Sequence, residues 1–146
     1  MNVRSSFVAA SLWAIAAAAW PQSDFAAKAA KEPGAQVTAS GLVFLSLKEG
    51  SGASPQATDK VRVHYRGTFQ DGKEFDSSYA RGQAAEFPLD RVIKCWTEGV
   101  QRIKVGGKAR LTCPPAIAYG ERGAGGVIPP GATLQFEVEL LGIAGR

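Results

Sequence analysis

Few side chains in this sequence could do chemistry, and their types limit what that chemistry can be. The 146 residues include a single histidine, His64, and only two cysteines, Cys95 and Cys113. A zinc site needs about four ligands from Cys, His or carboxylates, and the cysteine spacing matches no such site, so we expect no metal and no other cofactor. The glycine-rich segment 120–126 is followed by no G-K-[ST] sequence, which argues against a phosphate-binding loop.

The two cysteines are candidates for a disulfide. Cys113 shares the inward parity of Ala109 and Leu111 on a predicted strand, and Cys95 follows Val92 by three residues on the inward stripe of a predicted helix. A bridge between them would close a loop of about 18 residues and would stabilise the fold by roughly 3 kcal/mol in the chain-entropy model. Two small buried thiols are the alternative.

The composition is typical of one soluble globular domain, with 45% apolar and 21% charged residues. The formal net charge is +4, and it falls to +3 when residues 1–19 and their one basic residue, Arg4, are removed. Lys and Arg are scattered among Asp and Glu, whereas a nucleic-acid site would group them on one face. We therefore expect no nucleic-acid partner.

The first residues resemble an export signal. Arg4 precedes an uncharged apolar run at 7–20, and Ala17 and Ala19 form an A-x-A cleavage site, with a second candidate site near Ala27 and Ala29. The run is shorter than the roughly 20 apolar residues of a membrane span, although a retained anchor stays open as the alternative. We predict a signal peptide at 1–19, export to the periplasm or the exterior, and no membrane contact after cleavage.

Between the signal and the domain, residues 20–39 have no sustained apolar period and are predicted to be a linker, with a helical turn around 24–31. The domain is placed at 40–146. It begins with strands at 42–48 and 61–69, the second alternating between an apolar and a polar face. The Asp71-Gly72 pair then predicts a hairpin, because glycine accepts a positive φ without steric cost.

The period changes at 92–103, where apolar residues fall at helical spacing, and this predicts one short amphipathic helix. Gly106-Gly107 ends it, and strands at 108–113 and 133–143 follow. Several antiparallel strands with one short helix indicate an α+β fold in which the sheet buries its apolar face on the helix, with Trp96 at the floor of the core.

Five sequence blocks, taken in order, resemble the FKBP family of peptidyl-prolyl cis-trans isomerases. The resemblance runs from about residue 40 to 143. The blocks are VHYRG (63–67), DGKEFDSS (71–78), VIKCWTEGV (92–100), ARLTCPPAIAYG (109–120) and VIPPGATLQFEVELL (127–141).

This resemblance implies a bent antiparallel sheet of five to six strands wrapped around one short helix, with an apolar cleft between them. In this family the cleft binds peptidyl-proline and macrolides such as rapamycin. Carried over by motif, the catalytic residues are Tyr65, Asp76, Trp96 and Tyr119, and the substrate-binding residues are Phe75, Arg81, Phe87, Val92, Ile93, Val127, Ile128 and Phe136.

The resemblance also implies individual roles. Tyr119 and the backbone N–H of Ile93 would bind a substrate carbonyl, and Trp96 would lie under the prolyl ring. Asp76 would lie beside the twisting amide, tethered by Tyr65 and Arg81, with either an electrostatic or a structural role. Taken singly, each aromatic residue is better explained as an ordinary core residue, and only the ordered set of them favours a binding site.

Two positions depart from the family pattern. Ala85 stands where many members have an aromatic wall, and Arg91 occupies a position that is often acidic or polar.

The predicted activity is isomerisation of X-Pro bonds in exported, folding proteins. The alternatives are a proline-binding module or chaperone with little turnover, and a host-interaction factor. Because 20–39 is too short for a long dimerisation helix, we expect a monomer.

Overall fold

The computed structural model describes residues 24–144, so the signal peptide predicted at 1–19 lies outside them. Along the chain the elements are α1 (Asp24–Ala30), β1 (Gln36–Val37), β2 (Val43–Lys48), β3 (Lys60–Thr68), β4 (Glu74–Ser77), α2 (Ser78–Arg81), β5 (Ala85–Pro88), α3 (Lys94–Val100), β6 (Lys108–Cys113) and β7 (Leu134–Ile143). Short 3₁₀ turns at Leu89–Arg91 and Pro115–Ile117 complete the fold. No helix within 24–144 has the length and hydropathy of a membrane span.

The strands form one antiparallel sheet with the order β1-β2-β6-β7-β3-β4, and β5 pairs with the first half of β3. The longest ladder joins β3 to β7 and aligns Tyr65 with Val138. The predicted α+β architecture is therefore confirmed. The sheet has seven strands rather than five or six, because the two residues of β1 add an edge strand beside Phe44 of β2.

The hairpin predicted at Asp71-Gly72 joins β3 to β4. Gly72 has a φ of 87°, a left-handed conformation that favours glycine. The Asp71 carboxylate accepts a hydrogen bond of 2.9 Å from the backbone N–H of Lys73, as is typical of an aspartate at a turn. The turn brings β4 back beside β3, so that Asp76 pairs with Gly67.

Helix α3 is shorter than the predicted span 92–103. Val92 and Ile93 are extended, with ψ angles of 176° and 151°, so the helix begins only at Lys94. Gly99 lies where the helix meets the sheet, and a Cβ atom there would lie 2.8 Å from two side-chain atoms of Leu111. The close approach of helix and sheet therefore depends on a glycine at this position.

A disulfide between Cys95 and Cys113 joins α3 to β6, and the two Cα atoms are 5.8 Å apart. This separation lies within the ordinary range for disulfides. Both cysteines are fully buried in the core between helix and sheet. The bridge therefore fastens the helix that carries Trp96 to a central part of the sheet.

Residues predicted as a linker pack onto the sheet from α1 onwards. Ala26 and Ala29, three residues apart and therefore on one face of the helix, are buried. Arg110 of β6 donates a hydrogen bond of 2.7 Å to the carboxylate of Glu32. Among residues 25–30 of α1, only Ala26 and Ala29 are buried, and two small side chains are too few to give an apolar period in the sequence.

Candidate active site

An open cleft of about 470 Å³ lies where α3, the 3₁₀ turn before it and the sheet meet. Its lining contains all four residues predicted to be catalytic and five of the eight predicted to bind substrate. The lining residues are Tyr65, Phe75, Asp76, Phe87, Arg91, Val92, Ile93, Trp96, Tyr119 and Phe136.

Trp96 is the aromatic centre of the cleft, and only 4% of its surface is exposed. Three aromatic rings meet it edge to face: Tyr65 at 5.2 Å, Phe87 at 5.5 Å and Phe136 at 5.5 Å between centroids. Edge-to-face pairs at these distances are favourable because the positive ring edge meets the negative ring face. The indole is therefore held in one orientation by residues from β3, β5 and β7.

Phe75 forms a further wall, packed edge to face on Phe136 with 5.6 Å between centroids. Both rings cover Gly67 of β3. A Cβ atom at Gly67 would lie 2.6 Å from Phe75 and 2.9 Å from Phe136, so only glycine leaves room for this pair. We did not predict Gly67 as a site residue, although a glycine inside a strand often marks a close approach of this kind.

The polar side of the cleft is a network of three side chains. The Tyr65 hydroxyl donates to Asp76 Oδ2 at 2.5 Å, and Arg81 donates to Asp76 Oδ1 at 2.6 Å and to the Tyr65 hydroxyl oxygen at 3.0 Å. Helix α2 brings Arg81 back toward Asp76. Ser77 caps its start by accepting a hydrogen bond from the backbone N–H of Ala80, and Gly82, with a φ of 70°, ends it.

This network shifts the pKa values of its members in opposite directions. Burial raises the pKa of Asp76, but the hydrogen bonds from Tyr65 and Arg81 and the positive charge of Arg81 lower it more, and the net pKa lies below the ordinary value. Burial and the hydrogen bond to Asp76 raise the pKa of Tyr65. At neutral pH, Asp76 is therefore ionised and Tyr65 is neutral, so Asp76 has no proton to donate.

We expect the substitution Asp76→Asn to destabilise the protein at pH 7 by no more than about 1 kcal/mol, because exposed ion pairs contribute little. The Asp76 side chain is 42% exposed. Since its pKa is lowered on folding, the carboxylate stabilises the fold above about pH 4, and this contribution disappears as the pH falls through the lowered value. Urea unfolding at pH 7 and near pH 2 measures the difference.

The matched control for this prediction is Asp90→Asn, which changes an exposed aspartate outside the network. It should have little effect at either pH. A loss of stability in Asp76→Asn that is equally large at both values of pH would show that the lost interaction does not depend on the charge of the carboxylate.

Two hydrogen-bond donors at the cleft have no partner among the described residues. The Tyr119 hydroxyl belongs to a side chain that is 39% exposed, and no protein acceptor lies within hydrogen-bond distance of it. The backbone N–H of Ile93 likewise donates to no other backbone group in 24–144. Both donors are therefore available to a ligand carbonyl.

Three predicted substrate-binding residues do not line the cleft. Arg81 is hydrogen-bonded to Asp76 and to the Tyr65 hydroxyl instead. Val127 is 58% exposed, and Ile128 is buried in the core. Their loop turns back on itself, since both N–H groups bond to Ala124 O and the Ala124 N–H bonds to Ile128 O.

Of the two positions that depart from the family pattern, Ala85 and Arg91, only Arg91 lines the cleft. Ala85 is on β5, partly buried against the core, and is not a lining residue. Arg91 lines the cleft, although we had not predicted it to do so. Residues 24–144 contain no group of three or more His, Cys, Asp or Glu side chains placed to hold a metal ion.

The family model described as FKBP-type peptidyl-prolyl cis-trans isomerase matches residues 52–141. The chain is 55% identical over 114 residues to the FKBP-type 22 kDa peptidyl-prolyl cis-trans isomerase of Escherichia coli, a match that covers 78% of the chain and 55% of the relative. It is 52% identical over 120 residues to the isomerase FkpA of Aeromonas hydrophila, covering 82% of the chain and 44% of the relative. The chain thus spans about half the length of these curated relatives.

Solved structures show the same fold. The crystal structure of FkpA from Escherichia coli superposes with a TM-score of 0.80 at 48% identity, over 82% of this chain and 56% of that one. A peptidyl-prolyl cis-trans isomerase from Pseudomonas syringae has a TM-score of 0.76 at 36% identity, over 97% of this chain and 98% of that one.

Proposed function

Because the chain belongs to the FKBP-type peptidyl-prolyl cis-trans isomerase family, we propose that it accelerates rotation about X-Pro peptide bonds in proline-containing polypeptides. The observation that carries this proposal is the aromatic cleft over Trp96, which is flanked by two hydrogen-bond donors that have no partner in the described part of the chain. It offers an apolar surface for a prolyl ring and polar anchors for the adjoining carbonyls.

The chemistry requires no nucleophile. Rotation about a peptide bond has a barrier of roughly 18 to 20 kcal/mol, because resonance gives the C–N bond double-bond character. At X-Pro bonds rotation takes tens to hundreds of seconds at about 25 °C. The twisted transition state has lost this resonance, so its carbonyl is less polar than that of the planar ground state.

An apolar cleft can therefore favour the twisted amide over the planar one. Moving the amide out of water costs the polar, planar form more than the twisted form, and this difference lowers the barrier. Trp96 and the rings around it supply the apolar surroundings, and Tyr119 and the Ile93 N–H would hold the chain on either side of the rotating bond. Asp76, ionised and tethered, would act through its charge or by holding Tyr65.

The experiment that tests this function is an NMR exchange measurement on an Ala-Leu-Pro-Phe peptide with purified, folded protein. We expect the exchange between cis and trans forms to accelerate in proportion to protein concentration. Saturable binding without acceleration would overturn the enzyme proposal and leave a proline-binding module or chaperone.

We expect the substitution Tyr119→Phe to reduce kcat/KM by about 2-fold to 12-fold, the equivalent of one neutral hydrogen bond of roughly 0.5–1.5 kcal/mol. Its effect on stability should stay below about 0.5 kcal/mol, because the exposed hydroxyl has no protein partner to lose. Peptide exchange rates and urea unfolding measure the two effects separately.

Tyr79→Phe is the matched control, since Tyr79 is 44% exposed, lies outside the cleft and donates to Glu139. It should leave turnover unchanged. If Tyr119→Phe loses stability and turnover together, Tyr119 is chiefly a packing residue and its proposed role as an anchor is wrong.

We further propose that the protein is exported, with folding polypeptides as its substrates, and that it is a monomer. The predicted signal at 1–19 supports export, and so does the Cys95–Cys113 disulfide, because such bonds persist in oxidising compartments.

Macrolides such as rapamycin are proposed ligands of the cleft over Trp96. Inhibition of peptide exchange by rapamycin tests that proposal.

A further inference from the structure

Arg91 is a cation at the mouth of the cleft that has no partner among residues 24–144. Its side chain is exposed and lines the same cleft as Trp96 and Tyr119. Among the described residues it forms no ion pair and no hydrogen bond, and the adjacent Asp90 does not pair with it. The backbone beneath it is well fixed, because Arg91 ends a 3₁₀ turn whose Leu89 carbonyl accepts a hydrogen bond from Thr97.

The carboxylate of the cleft is not the partner of Arg91. Asp76 is the one carboxylate among the lining residues, and its charge is matched by Arg81 at 2.6 Å. Arg91 is the one cation among the lining residues, and no carboxylate of the lining is paired with it. A peptide bound in the cleft would therefore meet a guanidinium without an ion-pair partner beside an apolar floor.

We propose that Arg91 is a specificity-determining residue that selects substrates with an acidic side chain next to the proline. The inference rests on the proposed isomerase function and adds a substrate class to it. A guanidinium presents several N–H donors in a planar fork that matches a carboxylate, so Asp or Glu beside the proline supplies the missing counter-ion. A Gln of the same shape has no charge to offer.

The size of the preference follows from the exposure of Arg91. Exposed ion pairs contribute little, so we expect a Glu peptide to have a kcat/KM about two- to fivefold above that of its Gln counterpart. The preference should decrease at about 1 M salt, where the Debye length falls to about 3 Å. A preference for Glu that came from packing rather than from its charge would not depend on salt.

The experiment compares Ala-Glu-Pro-Phe with Ala-Gln-Pro-Phe, and Ala-Leu-Pro-Glu with Ala-Leu-Pro-Gln. Each is measured by NMR exchange for kcat/KM and by titration of labelled protein for Kd. The variants are Arg91→Gln and Arg91→Glu, with Lys48→Gln, an exposed cation on β2 outside the cleft, as the matched control. Arg91→Gln should abolish the Glu preference, Arg91→Glu should reverse it, and Lys48→Gln should keep it.

The two proposals fail in different ways. If the protein accelerates cis-trans exchange in none of the peptides, the isomerase proposal is wrong. The ratio of the Kd values for the Glu and Gln peptides then still tests the preference. Exchange of Ala-Leu-Pro-Phe could be accelerated while the ratio of kcat/KM for the Glu and Gln peptides is one at both positions, or is the same in wild type and in Arg91→Gln. Either result would overturn the inference about Arg91 and leave the isomerase proposal standing.

Discussion

Replacing Trp96 with alanine is expected to lower the free energy of unfolding by about 3–5 kcal/mol, and to lower turnover per folded molecule by an order of magnitude or more. The substitution removes a nearly buried indole and three edge-to-face contacts, to Tyr65, Phe87 and Phe136. The same change opens the floor of the cleft to water, which reduces the difference in solvation between the planar and the twisted amide. Urea unfolding and peptide exchange, measured where the variant is folded, separate the two losses.

Ile103→Ala provides the control, because Ile103 is a buried core residue that does not line the cleft. It should also destabilise the protein, by about 2–5 kcal/mol, without a comparable loss of turnover in the folded fraction. If Trp96→Ala retained wild-type turnover per folded molecule, the aromatic floor would be a packing feature only, and desolvation over Trp96 could not be the source of catalysis.

The second large effect is the loss of stability that we expect when the Cys95–Cys113 disulfide is removed. The double substitution Cys95→Ala and Cys113→Ala should lower the free energy of unfolding by about 2–4 kcal/mol, because the bridge restricts the unfolded chain across a sequence separation of 18 residues. Both cysteines are buried and neither lines the cleft. At 25 °C the folded fraction should therefore keep its turnover, while the midpoint of urea unfolding falls.

Treatment with reductant distinguishes the bridge from the packing of the sulfur atoms. A thiol reductant should destabilise the wild type by nearly the same amount as the double substitution and should not affect the double variant. Titration under denaturing, non-reducing conditions should detect no free thiol from Cys95 or Cys113. Two titratable thiols would contradict the bridge and favour the alternative of two buried thiols.

Periodicity alone predicted much of the fold. The alternation along β3 predicted that Val61, Val63 and Tyr65 share a buried face, and all three are buried. The parity of Cys113 and the helical position of Cys95 predicted that their side chains could meet, since both patterns follow directly from backbone geometry. Strand parity also places His64 on the polar, solvent-facing side of β3, but in the structure the ring of Tyr79 is stacked on it at 4.7 Å and partly covers it.

The candidate site was less accessible to such reasoning. Strand parity places Tyr65 on the inner face, but it does not reveal that Arg81 reaches back to both Tyr65 and Asp76. That contact depends on the single turn of α2, which four residues and their caps define. The expected tether came from the family resemblance, and the α2 geometry supplies its physical cause.

The sequence by itself determined the class of the fold, the positions of most strands, the D-G turn and the family. These depend on local pattern, in which hydrophobic period and turn residues act over a few neighbours. Only the tertiary structure decided which of the predicted residues surround the cleft of Trp96. It left Val127 exposed, buried Ile128 in the core and placed Arg91 at the cleft. Side-chain direction in turns and loops is set by long-range packing, and no sequence period encodes it.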